Sequence, residues 1–185
     1  MNGKSEVFVV DNDSTDDTVA IVRRLAAGGH RVVIHYGASV GEADALAAEV
    51  GAAGTVGGDL ADLAGIDPLF ARARSAAGGP VDALVNSASA FAFDAPPASN
   101  PDLLRRMNAI NCAAPALLAD ALARQDDVAD GAVVNLLDQK LANLNPDFFA
   151  YTCAKAGLAA ATAMQAQALA PRIRVNAVAP GLTLP

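Results

Sequence analysis

A doubly wound α/β fold, with one parallel sheet covered by helices on both faces, is predicted by three features of the 185-residue sequence. Short β-rich runs alternate with longer alanine-rich stretches of helical period. The short runs are nearly continuous in apolar character, as strands buried on both faces must be. Glycines then punctuate the helical stretches, with Gly28-Gly29 and Gly78-Gly79-Pro80 closing two of them.

In chain order, strands are expected at Val7 to Val10, Val32 to His35, Thr55 to Asp59, Ala83 to Ala88, Val133 to Leu137 and Arg174 to Val178. Between them, the 3.6-residue period predicts helices at Asp16 to Ala27, Val40 to Val50, Asp67 to Ala77, Pro101 to Arg124 and Phe149 to Leu169. Right-handed crossovers turn these α/β repeats into a single doubly wound sheet spanning 1–185 as one domain, since the chain is short for two independent cores. Ligands of such sheets sit at the carboxyl ends of the strands. The segments to interrogate are therefore Asp11 to Asp17, Tyr36 to Ser39, Asp59-Leu60, Ser87 to Phe93, Asp138 to Lys140 and Pro180-Gly181.

Composition excludes several classes. Hydrophobic residues make up 53% of the chain, and only six Phe and two Tyr are aromatic, so the core must be aliphatic and rich in alanine. Apolar runs break well before the roughly 18 residues needed to cross a bilayer, and the start of the chain does not read as a secretory signal. A cytoplasmic protein with no membrane partner is expected. Thirteen basic against twenty acidic residues give a net charge of −7, which repels a nucleic-acid backbone. Cys112 and Cys153 have no metal-type spacing and are expected as buried small side chains, so no metal site is predicted.

Tyr151 and Lys155 stand four residues apart, on one face of the last helix and one turn from each other. An ammonium beside a phenol favours phenolate and is expected to lower the phenol's pKa toward the range of a working acid or base. Asp138 ends the preceding strand, Asn111 lies within the long helix before it, and Asn86 with Ser89 follows the fourth strand, so polar groups converge on one edge of the sheet. For Asp138 a capping or turn role before Asn143 and Pro146 is the alternative.

These segments resemble the short-chain dehydrogenase/reductase family, a Rossmann-type fold that joins a strand-end Ser or Asp, a helical Asn and a Tyr-x-x-x-Lys pair. The likeness is carried by residues 84–89, 111–115, 134–138, 151–155 and 172–181, in the family's order. Within the family, Asp138 in place of the more common Ser, and Ser87-Ala88-Ser89-Ala90-Phe91, resemble pteridine reductases and dihydromonapterin reductases. The resemblance implies an NADPH-dependent reductase of a pterin-like or other small carbonyl or imine substrate, with Asn111, Asp138, Tyr151 and Lys155 catalytic. Phe91 would stack on a flat heterocycle, and Ser89 would touch cofactor or substrate. Lys155 would also bond the nicotinamide ribose, Asp59 and Leu60 would border the adenine, Asn86 and Ala88 would line the cofactor groove, and Pro180-Gly181 would meet the nicotinamide side.

The sequence also departs from the family. Its glycine-rich turn after the first strand is replaced by Asp11-Asn12-Asp13-Ser14-Thr15-Asp16-Asp17-Thr18, in which Asn12 and Ser14 are the candidates for the cofactor phosphates. A carboxylate about 6 Å from a phosphate charge costs on the order of 3 kcal/mol at an effective dielectric of 20, before screening. The same acids could instead serve the start of the helix, where they complement its dipole. No basic residue stands in Tyr36-Gly37-Ala38-Ser39 for the 2′-phosphate, and no acid for a ribose hydroxyl. His35 and Ser39 could bond a phosphate, which favours NADPH over NADH, while His35 also reads as a strand-end histidine with one satisfied nitrogen. The family's lid helices, last strand and much of its subunit interface would follow Pro185. The resemblance therefore implies a chain lacking the family's C-terminal portion and a homo-oligomer.

Two alternatives stay open at the first segment. Residues 6–24 resemble the nucleotide-sugar-binding start of family-2 glycosyltransferases, and Asp11 to Thr15 resemble the Asp-x-Asp-x-Thr of haloacid dehalogenase-type phosphatases. A homologue that keeps the fold as a binding or regulatory subunit is the other class of function.

Overall fold

A computed structural model describes residues 5–10 and 17–181. Six parallel strands form one sheet in the order β3-β2-β1-β4-β5-β6. They are β1 Glu6–Val10, β2 Arg31–Tyr36, β3 Gly54–Gly57, β4 Ala83–Asn86, β5 Gly131–Leu136 and β6 Ile173–Val178. The helices are α1 Asp17–Ala27, α2 Val40–Val50, α3 Ile66–Ala77, α4 Pro101–Asn108, α5 Ala114–Ala123 and α6 Phe149–Leu169. This is the expected doubly wound α/β sheet, and its strand order reverses between β1 and β4.

Each face has its own core. Val7, Val9, Val22, Val32, Ile34 and Ala43 pack β1 and β2 against α1 and α2. On the other face, Phe8, Leu69, Leu84, Leu118, Leu122, Val133 and Ile173 belong to one cluster under α3 and α5. Successive residues of β1 thus serve opposite cores, which is why the run carries no polar alternation. A buried polar chain also ties the sheet to its helices: Asn86 Nδ2 donates to Asn135 Oδ1 at 2.8 Å, and Asn135 Nδ2 donates to Thr162 Oγ1 at 2.9 Å.

Three sequence expectations need correction. The helix read over Pro101 to Arg124 is two α-helices joined by a π-helical turn at Ala109–Ala113. Pro115 has no N–H to give the Asn111 carbonyl, so regular i to i−4 bonding cannot run through this point. The third strand is Gly54–Gly57 and stops short of Asp59, the Gly58 N–H giving the last ladder bond to the Tyr36 carbonyl at 3.1 Å. The cysteines are not both buried: Cys112 is partly covered and Cys153 faces outward from α6. Among the described residues, no helix is long and apolar enough to cross a membrane.

Candidate active site

The carboxyl edge of β4 and β5 assembles the site. At the switch point, the N–H groups of Ser87 and Ala88 both donate to the Val10 carbonyl, at 3.0 and 2.8 Å. The Thr18 and Ser87 hydroxyls meet at 2.8 Å, joining the start of α1 to the segment after β4. Ser89 Oγ then donates to Asn111 Oδ1 at 3.1 Å, and the Asn111 amide clamps Ala90 by accepting from its N–H and donating to its carbonyl, both at 2.9 Å. Asn111 is fully buried within the π turn. The extra residue of that turn lets a side chain in mid-helix reach a neighbouring backbone.

Asp138 follows β5 and starts a 3₁₀ turn, Gln139–Ala142. Its Oδ1 accepts from the Lys140 N–H at 2.7 Å, while Oδ2 accepts from the Tyr151 hydroxyl at 2.7 Å. Asp138 thus caps its own turn with one oxygen and accepts from the Tyr151 hydroxyl with the other. One turn along α6, the Lys155 ammonium donates to the Leu136 carbonyl at 2.7 Å and lies 5.8 Å from the centroid of the Tyr151 ring. Lys155 is only 3% exposed. The structure thus gathers Asn111, Ser89, Asp138, Tyr151 and Lys155.

The expected lowering of the phenol's pKa is reversed. Burial first, and then the hydrogen bond to and charge of Asp138, push Tyr151 well above the ordinary tyrosine range, against a smaller opposing effect of Ser89. Lys155 spends its hydrogen bond on Leu136, and burial lowers its own pKa to about 8, against the pull of Asp138. The pair is a tightly held phenol beside a destabilised ammonium.

Beside this group lies an open pocket of about 720 Å³, lined by Phe91, Asp138, Gln139, Lys140 and Phe148 among others. Phe91 is 61% exposed, stacks on Phe148 with centroids 4.2 Å apart, and meets Tyr151 edge to face at 4.8 Å. Pro180 accepts from the Gln139 N–H at 3.2 Å, bringing Pro180-Gly181 to the same edge. Lys140 closes one of the strand-end segments marked in the sequence, whereas Phe148 was not singled out. Phe148, three residues before Tyr151, was detectable from that spacing.

Other expected contacts are placed differently. The Asn86 side chain is not a groove lining; it points into the core on Asn135 and the Pro115 carbonyl. His35 is 1% exposed, with Nε2 on the Gly58 carbonyl at 3.0 Å and its ring edge-on to Phe8. Strand alternation turns it inward, away from Tyr36. Leu60 and Ala88 bury their side chains in the core, leaving only backbone to a ligand. Asp59 is exposed and its Oδ1 accepts from the Ala61 N–H. Ser39 stands at the start of α2. Asn12 and Ser14, with the acidic loop, lie outside the described residues.

A parallel sheet of this order, carrying a Tyr and Lys one helical turn apart beside a strand-end acid and a helical Asn, defines a dinucleotide-fold oxidoreductase. The short chain dehydrogenase family model matches residues 18–185, and the chain belongs to that family. An uncharacterized oxidoreductase of Methylorubrum extorquens is 31% identical over 183 residues, covering 96% of this chain and 73% of the relative. The crystal structure of FolM alternative dihydrofolate reductase 1 from Brucella suis in complex with NADP superimposes with a TM-score of 0.89 at 39% identity. That match covers 97% of this chain and 76% of the other. A mutant short-chain dehydrogenase/reductase of Serratia marcescens gives 0.86 at 29% identity, covering 96% and 74%.

Proposed function

We propose that this short-chain oxidoreductase reduces a pterin-like or other small carbonyl or imine substrate with NADPH, with Tyr151 as the proton donor. The observation that carries the reading is the 2.7 Å bond from the Tyr151 hydroxyl to Asp138, backed by a buried Lys155. The NADP-bound Brucella reductase supports the choice of cofactor.

The donor set fits a nicotinamide nucleotide. Lys155 is a buried ammonium with one hydrogen bond, to Leu136, and its remaining N–H groups suit sugar hydroxyls. The Val10, Ser87 and Ala88 backbone closes the switch point where such a ligand rests. When bound, the nicotinamide supplies a hydride. Tyr151 keeps its proton until a substrate atom takes it, because burial and Asp138 disfavour phenolate. A proton taken up by Asp138 from the open pocket refills the phenol, and Lys155 stabilises the anion in between. Phe91 and Phe148 offer flat apolar faces to a heterocycle.

The test is NADPH oxidation with dihydropterin or dihydrobiopterin, comparing the protein with Tyr151→Phe. A loss of at least a hundredfold is expected, and equal rates end the assignment. A second reading, a binding or regulatory homologue, is favoured by the carboxylate-rich 11–17 segment in place of a glycine-rich turn. Titration of NADPH fluorescence separates the two: micromolar binding argues against it. Self-association as a homo-oligomer is part of the proposal.

A further inference from the structure

Asp94 is a buried carboxylate, 7% exposed, that the reduction just described does not use. It lies three residues beyond Phe91 in the segment between β4 and α4. Its two carboxylate oxygens accept from the Ala150 N–H at 3.0 and 3.2 Å, and its own carbonyl accepts from the Phe149 N–H at 3.2 Å. The first N–H groups of any α-helix have no partner within it. Here the residue at the N-cap position, Phe148, has no side-chain oxygen to offer and holds a left-handed φ of 55°. The cap of α6 is therefore delivered from a distant loop, and the residue after Ala150 is Tyr151.

The same loop presents Phe91, which contacts both Phe148 and Tyr151. One segment thus builds the aromatic wall of the pocket and ties down the first turn of the helix bearing the phenol. We infer that Asp94 is a positioning residue, which fixes that turn so that the Tyr151 hydroxyl stays on Asp138. The inference rests on the proposed reduction for its kinetic consequence, but not for its geometry. A carboxylate at this end of the helix also complements the helix dipole.

The experiment uses a Tyr36→Phe background, which leaves Tyr151 as the one tyrosine of the chain. Phenolate absorbance is titrated in this parent and in its Asp94→Ala and Asp94→Asn variants. The groups facing the phenol, Asp138, Lys155 and Ser89, are the same in all three. The parent is expected to stay un-ionised to about pH 11, and Asp94→Ala to bring the midpoint back toward the ordinary value of about 10. In turnover, Asp94→Ala lowers kcat about tenfold with KM for NADPH changed less than about twofold. Asp94→Asn, which keeps an acceptor oxygen, restores both readouts. An unchanged midpoint and kcat in Asp94→Ala overturn the inference. If the parent shows no turnover, the reduction reading fails while the titration still decides Asp94. Should the alanine variant not fold, Asp94→Ser, whose single oxygen stops short of the Ala150 N–H, is held to the same two readouts.

Discussion

Asp138 serves Tyr151 with one oxygen and its own turn with the other: Oδ2 accepts from the phenol at 2.7 Å while Oδ1 accepts from the Lys140 N–H at 2.7 Å. The second bond aims the first, because a carboxylate pinned at Oδ1 cannot rotate away from the helix. A side chain that reads as a turn residue is thereby held as part of the site.

Replacing Asp138 with Asn tests this sharing. Asp138 raises the Tyr151 pKa through its hydrogen bond and its charge. Asp138→Asn removes the charge, so the phenol ionises at lower pH than in the native protein. Reduction is expected to slow by about a hundredfold, the proton supply being lost. Absorbance titration and steady-state kinetics check the two halves.

Lys155 gives a pH-dependent stability. Its folded pKa, about 8, lies below the ordinary lysine value of 10.5 that holds in the unfolded chain. Below about 8 both states carry the proton, and the folded state bears the full cost of a buried charge. Between 8 and 10.5 the unfolded chain binds more protons, so stability rises with pH. At 1.36 kcal/mol per unit the cost approaches about 3 kcal/mol. Lys155→Met should therefore be more stable than the native protein at pH 7 by up to that amount, with the gap shrinking by pH 10, while losing activity. Urea melts at both pH values measure it.

Asn135 is the middle of the buried chain from Asn86 to Thr162 and is itself fully buried. Asn135→Ala leaves the Asn86 amide with only the long 3.4 Å contact to Pro115. Leaving buried polar groups without partners costs about 2 to 4 kcal/mol in total. Adding Asn86→Val to Asn135→Ala should cost less than the sum of the two single changes, and a double-mutant cycle in urea reads the difference.

Gly131 opens β5 at a corner where an added Cβ would have to displace the ends of buried side chains. A Cβ there would lie 2.6 Å from Ile173 Cδ1, 3.2 Å from Leu122 Cδ2 and 3.3 Å from Val128 Cγ1. Gly131→Ala overpacks this corner and should cost about 1 to 3 kcal/mol. Thermal melting of the single variant tests it.

What the sequence made legible was what local pattern controls. Val7 to Val10 and Phe149 to Leu169 match the observed elements within a residue, because an apolar run buried on both faces and a long alanine-rich period leave little choice. The spacing of Tyr151 and Lys155 was visible in the sequence, but the pair drew its weight from Asn111, Asp138, Asn86 and Ser89 around it and from the family resemblance. The direction of the Tyr151 shift was not legible: it depends on burial and on which carboxylate oxygen faces the ring, neither of which spacing encodes. Asp94 was invisible for a related reason, since its partner is a helix start that begins with Phe148 and shows no capping residue of its own. Asn86 and His35 illustrate the opposite failure. Both stand at strand ends where ligands rest, yet strand alternation turns their side chains inward.

The π turn around Asn111 makes the aim of that side chain depend on the length of this stretch as well as on its residue types. Excising one residue between 109 and 113 would remove the extra residue of the π turn and swing everything downstream by about a hundred degrees, a single step of the spiral. The amide that grips Ala90 would then face elsewhere, though every neighbouring side chain were kept.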